Sequence, residues 1–337
     1  MSQDVLYRKK GNSRDETIDI LRFLAITGII IAHVKPSLLW LQLRNFDVPL
    51  MVFLSGVCFY MSKNKKVSYI PYLRKRFIRL ILPTWIFLCF YFTTLYLNDN
   101  SLDITKIIMC YTLTTPWYFW IVRILVGLAI IAPVLVYISN RLSIEKLVIC
   151  CLLLFVLTEV LSSLSASYLY KIIIMFIPYI SVFLLGMNVE RIKENIVLDF
   201  GALFLFLYLF TAYYLYIQTG VYISIQGFKY PPRIYYIEYA LSVTAILWSQ
   251  RDKIAFLLKK NGLFKFAKFV GSHTFWIYLW HIPMVDCLHV CNNGLLFFFV
   301  FFLAILITYL QVLIVDVICN YIINQSIKQN VRMIFIG

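Results

Sequence analysis

Residues 14–33 read RDETIDILRFLAITGIIIAH. Beyond its first few residues the stretch is apolar enough to begin a helix that crosses a bilayer, which takes about 20 mostly apolar residues. Yet it carries Asp19, Arg22 and His33. An ionisable side chain inside a span is costly, so each one is a site hypothesis by default. Arg22 and His33 lie 11 positions apart. At about 100° per residue that is three turns plus about 20°, so both side chains share one face. At about 1.5 Å per residue they stand about 16 Å apart along the axis. Asp19 precedes Arg22 by three positions, within pairing reach on a helix. The same spacing also fits a plain Asp19–Arg22 pair at one membrane surface and a histidine at the other. The residues alone leave both readings open.

The rest of the chain agrees with a membrane setting. Of its 337 residues 62% are hydrophobic and 14% charged, against about 25% charged in soluble proteins. That excludes a soluble enzyme, a disordered chain and a collagen-like fibre. Ten apolar stretches read as spans: 17–35, 46–62, 80–97, 117–138, 145–164, 171–189, 198–217, 234–250, 272–291 and 295–318. The expected fold is therefore all-α, a polytopic membrane protein with about ten helices. Residues 1–337 form a single multi-spanning domain, with a cytoplasmic N-terminal segment (1–16) and a cytoplasmic tail (319–337). No cleavable signal peptide is expected, because no small-residue cleavage site follows the first apolar run.

The net charge of +15 has two readings, nucleic acid or topology. With both termini inside, 23 of the 31 basic residues fall on cytoplasmic segments and six on outer ones, with Arg22 and Arg123 within spans. Such a bias is the positive-inside signature, so N-in, C-in is expected and nucleic acid is not required. The 24 tyrosines suit interfacial belts. The eight cysteines are scattered and form no metal-type CxxC pair; Cys287, His289 and Cys291 read as packing. No metal and no permanently bound cofactor are expected.

Other residues carry candidate chemistry. Arg76 and Arg79 are spaced i, i+3 in a basic loop that also holds Lys63, Lys65, Lys66, Arg74 and Lys75. Paired guanidiniums grip a phosphate with several donors, although ordinary inner-face charge gives the same pattern. Asp47 opens the second span on the His33 side. It either orients His33 or caps its own helix. Arg123, Glu159, Glu238, His281, Asp286 and Asp316 lie in or near spans, and one pairing that suggests itself is Arg123 with Glu159. The outer segment 218–233 is polar and aromatic; it reads first as a connecting loop and second as a glycan contact.

Taken in order, these motifs resemble the membrane acyltransferase family 3, multi-spanning O-acyltransferases of surface polysaccharides and related acceptors. Arg22 and His33 match the family's first helix, which has a basic residue, ten positions, then His. NFDVPLMVFLSG (45–56) resembles its second helix, RFIR (76–79) its paired-arginine motif, PWYF (116–119) its Trp-containing fourth helix and SHTFWIYLWHIP (272–283) its late Tyr-Leu-x-His-x-Pro helix. The middle, 140–265, carries no such mark. The chain looks like the stand-alone type, without an extracytoplasmic hydrolase domain.

The resemblance implies a cytoplasmic acyl-CoA donor, usually acetyl-CoA, and an acceptor hydroxyl on a polysaccharide or lipid-linked glycan. His33 inherits the catalytic role, Arg22 an essential role in the same pore, and Arg76 and Arg79 donor binding. Asp47 joins the catalytic set. Asp19, Trp117, Arg123, Glu159, Glu238 and His281 are further pore candidates. The chemistry is compatible: a neutral imidazole takes the proton of an attacking sugar hydroxyl. Direct attack and an acyl-enzyme relay stay open, as does a homo-oligomer. The implied location is a bacterial inner (plasma) membrane. A transporter or flippase of a sugar or lipid intermediate is the rival reading, since it too has many spans and buried charges.

Overall fold

Both the amide and the hydroxyl of Thr17 bond to the Asp15 carboxylate, at 3.0 and 2.8 Å. This cap starts helix α1 (Glu16–His33). The helix stops where Lys35 takes a φ of 51° and Pro36 follows, which cannot donate to a helical carbonyl. The structure, a computed structural model, describes residues 15–62, 68–99, 103–115, 117–164, 167–288 and 290–337. Arg8, Lys9, Lys10, Arg14, Lys63, Lys65, Lys66, Pro116 and His289 lie outside the described residues.

After α1 come α2 (Leu38–Leu43), α3 (Asp47–Ser62), α4 (Tyr69–Arg76), α5 (Leu82–Asp99), α6 (Ile104–Tyr111), α7 (Trp120–Arg141) and α8 (Ile144–Ser162). They are followed by α9 (Tyr168–Asn188), α10 (Glu194–Thr219), α11 (Ile234–Ser249) and α12 (Arg251–Lys260). The chain ends with α13 (Phe264–Ser272), α14 (Thr274–Cys287), α15 (Asn293–Tyr321) and α16 (Gln325–Phe335). Among the described residues there is no strand; Lys229 and Pro232 form an isolated antiparallel bridge. The protein is all-α.

Each expected span falls on one of these helices. Among the described residues, six stretches are long and apolar enough to cross a membrane: Leu38–Ser62, Tyr69–Leu97, Trp120–Arg141, Tyr170–Arg191, Glu194–Thr219 and Asn293–Tyr321. The other four expected spans correspond to α1, α8, α11 and α14, of 18, 19, 16 and 14 residues. Helices α11 and α14 are short. Helix α1 carries Glu16, Asp19 and Arg22, and α8 carries Glu145, Lys146 and Glu159.

Burial explains how α1 tolerates its charges. It packs against α3, α12, α13, α14 and α15. Ile18, Ile20, Leu21, Ala25, Ile26, Ile29 and Ile30 are all buried, which covers several faces at once. This charged span is thus enclosed by protein. Helix α10 is the opposite case: Phe206, Phe210, Tyr213 and Ile217 on it are exposed, as a lipid-facing surface would be.

Two local features position the rest. Helices α3 and α9 cross at Gly56 and Gly186: a Cβ on either would overlap the partner helix's backbone, at Phe183 and Phe53 respectively. Small residues at a crossing let membrane helices approach closely. The second feature is a π turn, Phe77–Ile81, between α4 and α5. Pro83 cannot donate to the carbonyl of Arg79 four residues earlier, and the helical ladder widens just before it. The Thr84 hydroxyl caps the Leu80 carbonyl at 2.6 Å. Arg76 and Arg79 therefore stand on either side of an α-to-π junction. The tail folds back on this junction, because α16 packs against the π turn, α5 and α15. Trp276 donates to the Ile334 carbonyl at 2.8 Å and stacks on Phe335, and Gln311 donates to the Phe335 carbonyl at 2.6 Å.

The Gly186→Val variant is expected to be destabilised by about 1–3 kcal/mol through overpacking. Its thermal unfolding midpoint in detergent should fall by roughly 3 °C or more. An unchanged midpoint would show that α3 and α9 have room to separate.

Candidate active site

His33 closes α1, and its ring is held at one nitrogen. Nδ1 lies 2.8 Å from the Ile29 carbonyl oxygen, one turn back, and 3.2 Å from Nε2 of His281 on α14. The Nδ1 of His281 is in turn hydrogen-bonded to the Tyr278 carbonyl. A carbonyl oxygen only accepts, so both rings are assigned their proton on Nδ1. Nε2 of His281 then accepts, and His33 shares its Nδ1 proton between Ile29 and His281. The lone pair on Nε2 of His33 remains for other use. Tyr118 packs on His33 with ring centroids 5.1 Å apart. Its hydroxyl donates to Asp286 at 3.1 Å, as does that of Tyr91 at 2.7 Å. Its carbonyl accepts from the Tyr278 hydroxyl.

Beside His33 lies a cavity of about 160 Å³, lined by Arg44, Asp47, Trp120, Gln226, Lys229 and Tyr278 among others. Its centre is a buried ion cluster. Asp47 accepts from Arg44 at 2.9 Å, from Lys229 at 3.4 Å and from the Val48 amide at 2.7 Å. Arg44 also donates to the Gln226 side chain at 2.6 Å. The loop carrying Gln226 and Lys229 is fixed by a short 3₁₀ turn, Ile225–Phe228, whose first amide donates to Gln42 at 3.1 Å. Gly28 on α1 admits this cluster, since a Cβ there would sit 3.1 Å from that of Asp47. Burial pushes the Lys229 ammonium down to about 8; Asp47 pulls it back up, while Arg44 adds to the fall.

A family model described as an acyltransferase domain matches residues 15–315. The chain belongs to the acyltransferase 3 family. No curated protein and no solved structure matches it. With its apolar helices, this acyltransferase is a multi-pass membrane protein.

The acyltransferase brings some expected residues together and separates others. His33, Asp47 and His281 meet at or beside the cavity. Arg22 sits at the other end of α1, where it bonds to Asp19 at 3.4 Å and to the Cys58 sulfur of α3 at 3.1 Å. Arg76 is at that end too. It lies over Tyr72, whose ring packs on Phe59 near the end of α3. Arg79 is exposed. Glu159 does not pair with Arg123. It binds Arg233, at 2.7 Å from Nε, and accepts the Ile234 amide at 3.2 Å, tying α8 to the start of α11. Arg123 instead donates to the Leu113 carbonyl at 3.0 Å. Glu238 is buried on α11, and its Oε2 has no hydrogen-bond partner among the described residues. Trp117 is half exposed under Lys106, and Trp120, one turn on, lines the cavity instead. Asp316 pairs with Arg332 at 2.8 Å. Cys287 and Cys291 are free and exposed.

The sequence reading passed over Arg44, Gln226 and Lys229. One signal pointed to Arg44 and Lys229, though not to Gln226. Against an inner-face bias of 23 to six, each outer basic residue is an exception. Three of the six, Arg44, Lys229 and Arg233, are paired with carboxylates.

Replacing Asp47 with Ala leaves two buried cations without their counter-charge. A loss of about 3–5 kcal/mol is expected, read as a lower unfolding midpoint, and Lys229→Met added to that variant should restore part of it. A double variant no more stable than the single one would refute charge imbalance as the cause. Lys229 titrates near 8 when folded against an ordinary 10.5, so between those values the unfolded chain binds more protons. Stability should therefore rise with pH across that window and fall as pH drops towards 8. The Lys229→Met variant should lack this slope.

Proposed function

We propose that this acyltransferase transfers an acyl group, acetyl foremost, from cytoplasmic acyl-CoA to a hydroxyl of a cell-surface polysaccharide or its lipid-linked precursor. The observation that carries the reading is His33, which lines a polar cavity with its Nδ1 pinned by Ile29 and His281, so that the Nε2 lone pair is left for proton transfer. A hydroxyl in the cavity gives its proton to Nε2 as its oxygen attacks the thioester carbonyl carbon. The carbonyl π pair moves to oxygen. On collapse the C–S bond breaks, and the imidazolium returns the proton to the departing thiolate. The products are the O-acyl ester and the free CoA thiol.

The donor side of the proposal is the opposite end of α1. Arg76, just before the π turn, and Arg79, within it, suit the phosphates of CoA. Arg22, at that same end of α1, serves as the basic group of the pore. The full topology belongs to the same reading: ten spans, with α1, α8, α11 and α14 among them, both termini inside as the 23 to six charge bias favours, in the plasma membrane. Neither the cavity nor the family match favours a transporter.

The His33→Ala variant is expected to lose acetyl transfer while keeping its gel-filtration profile and unfolding midpoint. Labelled acetyl-CoA and mass spectrometry of surface polysaccharide from cells with and without the protein read the outcome. Full residual transfer would sink the assignment. Arg76→Ala with Arg79→Ala should weaken acetyl-CoA binding at least tenfold in a titration; unchanged affinity removes the pair from the donor site.

A further inference from the structure

The cavity at His33 holds one more positive charge than its pairings use. Arg44 is engaged: one arm on Asp47, the other on Gln226. Lys229 has a single, longer bond to Asp47, at 3.4 Å, and the same carboxylate oxygen already accepts the Val48 amide. An ammonium has three N–H donors. Among the described residues no other hydrogen bond takes up the remaining ones. The ammonium instead faces the rings of Trp120, Tyr230 and Tyr236 at 5.8–5.9 Å. Its side chain is 3% exposed. A buried cation in excess of its counter-ions lowers stability, and it is held on a loop that Gln42 and Arg44 fix in place.

Such a group fits one demand of the reaction that the histidine pair does not meet. When a hydroxyl attacks a thioester, negative charge develops on the carbonyl oxygen, and a preorganised cation or donor beside that oxygen is among the largest contributions to rate. His33 and Lys229 line one cavity. We propose that Lys229 is a catalytic residue of the acyl transfer, its ammonium taking the negative charge that develops on the acyl carbonyl oxygen while His33 takes the proton of the attacking hydroxyl. The new C–O bond and the π pair on oxygen form together. The pair returns as the C–S bond breaks, and the ammonium keeps its protons throughout. The proposal rests on the acyl-transfer reading above.

Lys229 is faced by His33 from α1, by Arg44 and Asp47 from the turn into α3, by Tyr230 beside it, by Tyr236 from α11 and by Tyr278 from α14. His33 governs the acid side of a pH–rate profile, and loss of the Lys229 proton governs the alkaline side.

The test uses full-length protein in inverted membrane vesicles, with labelled acetyl-CoA as donor and the endogenous glycan as acceptor. Lys229→Met should lower kcat by about 10²–10³ while acetyl-CoA affinity stays within twofold. Wild-type rate should fall as pH rises through about 8, and in Lys229→Arg, whose guanidinium stays charged, that fall should vanish. In Lys229→Ala, added ethylammonium should restore part of the rate. A Lys229→Met enzyme at near-wild-type kcat overturns the proposal. So does an alkaline limb unmoved in Lys229→Arg together with no rescue in Lys229→Ala. Wild-type protein without acetyl transfer, or His33→Ala with full transfer, fails the acyl-transfer reading instead.

Discussion

The Asp47 carboxylate is the point on which the cavity end of the molecule depends. It lies at the start of α3, fully enclosed, and accepts from Arg44 on the α2 side and Lys229 on the loop before α11. Remove it and the connections have no common anchor. The cluster is ionic: one carboxylate and two cations hold the polar loop against the helix ends. It can be ionic only because α1 offers a glycine, Gly28, at the closest approach. Charge attraction in a dry interior, with hydrogen bonds filling most lone pairs, offsets part of the desolvation cost. What it leaves over is one cation, and that remainder is chemically the most informative part of the cluster.

The two ends of α1 differ in how they hold their charges. At His33, itself half-buried, the ring is cross-linked to the buried His281 through a proton shared by two acceptors. At Arg22 the guanidinium is a quarter exposed and bonds to a carboxylate and a sulfur. Between the two ends the helix is covered by protein at Ile26, Ile29 and Ile30, which are buried.

Much of the helical framework was legible in the chain. Apolar runs of 17 or more residues leave few alternatives, and every expected span lands on a helix. The charged first span was legible too, because Asp19, Arg22 and His33 interrupt an apolar stretch where each is costly. The loop residues were harder. Gln226 and Lys229 sit in a polar, aromatic connection whose composition suits any surface turn. Their partners Arg44 and Asp47 are 182 positions away. Periodicity reports which face of a helix is apolar; it carries no information on which loop folds against that face. The Glu159 pairing shows the same limit. Arg123 and Arg233 were equally available by charge, and only the packing of α8 against α11 chooses Arg233. The π turn was hidden because RFIR reads as plain helix until the effect of Pro83 on the Arg79 carbonyl is considered.

The enclosure of α1 has a consequence for how the molecule is made. This helix is synthesised before every other one described here, and it carries Glu16, Asp19 and Arg22. Helix α3 joins it early, yet α12, α13, α14 and α15 emerge only after the chain has passed Arg251. Through most of synthesis, then, the span least suited to lipid stands with most of its protein neighbours missing. It must be held at the insertion machinery, or near the membrane surface, until the C-terminal quarter arrives to enclose it.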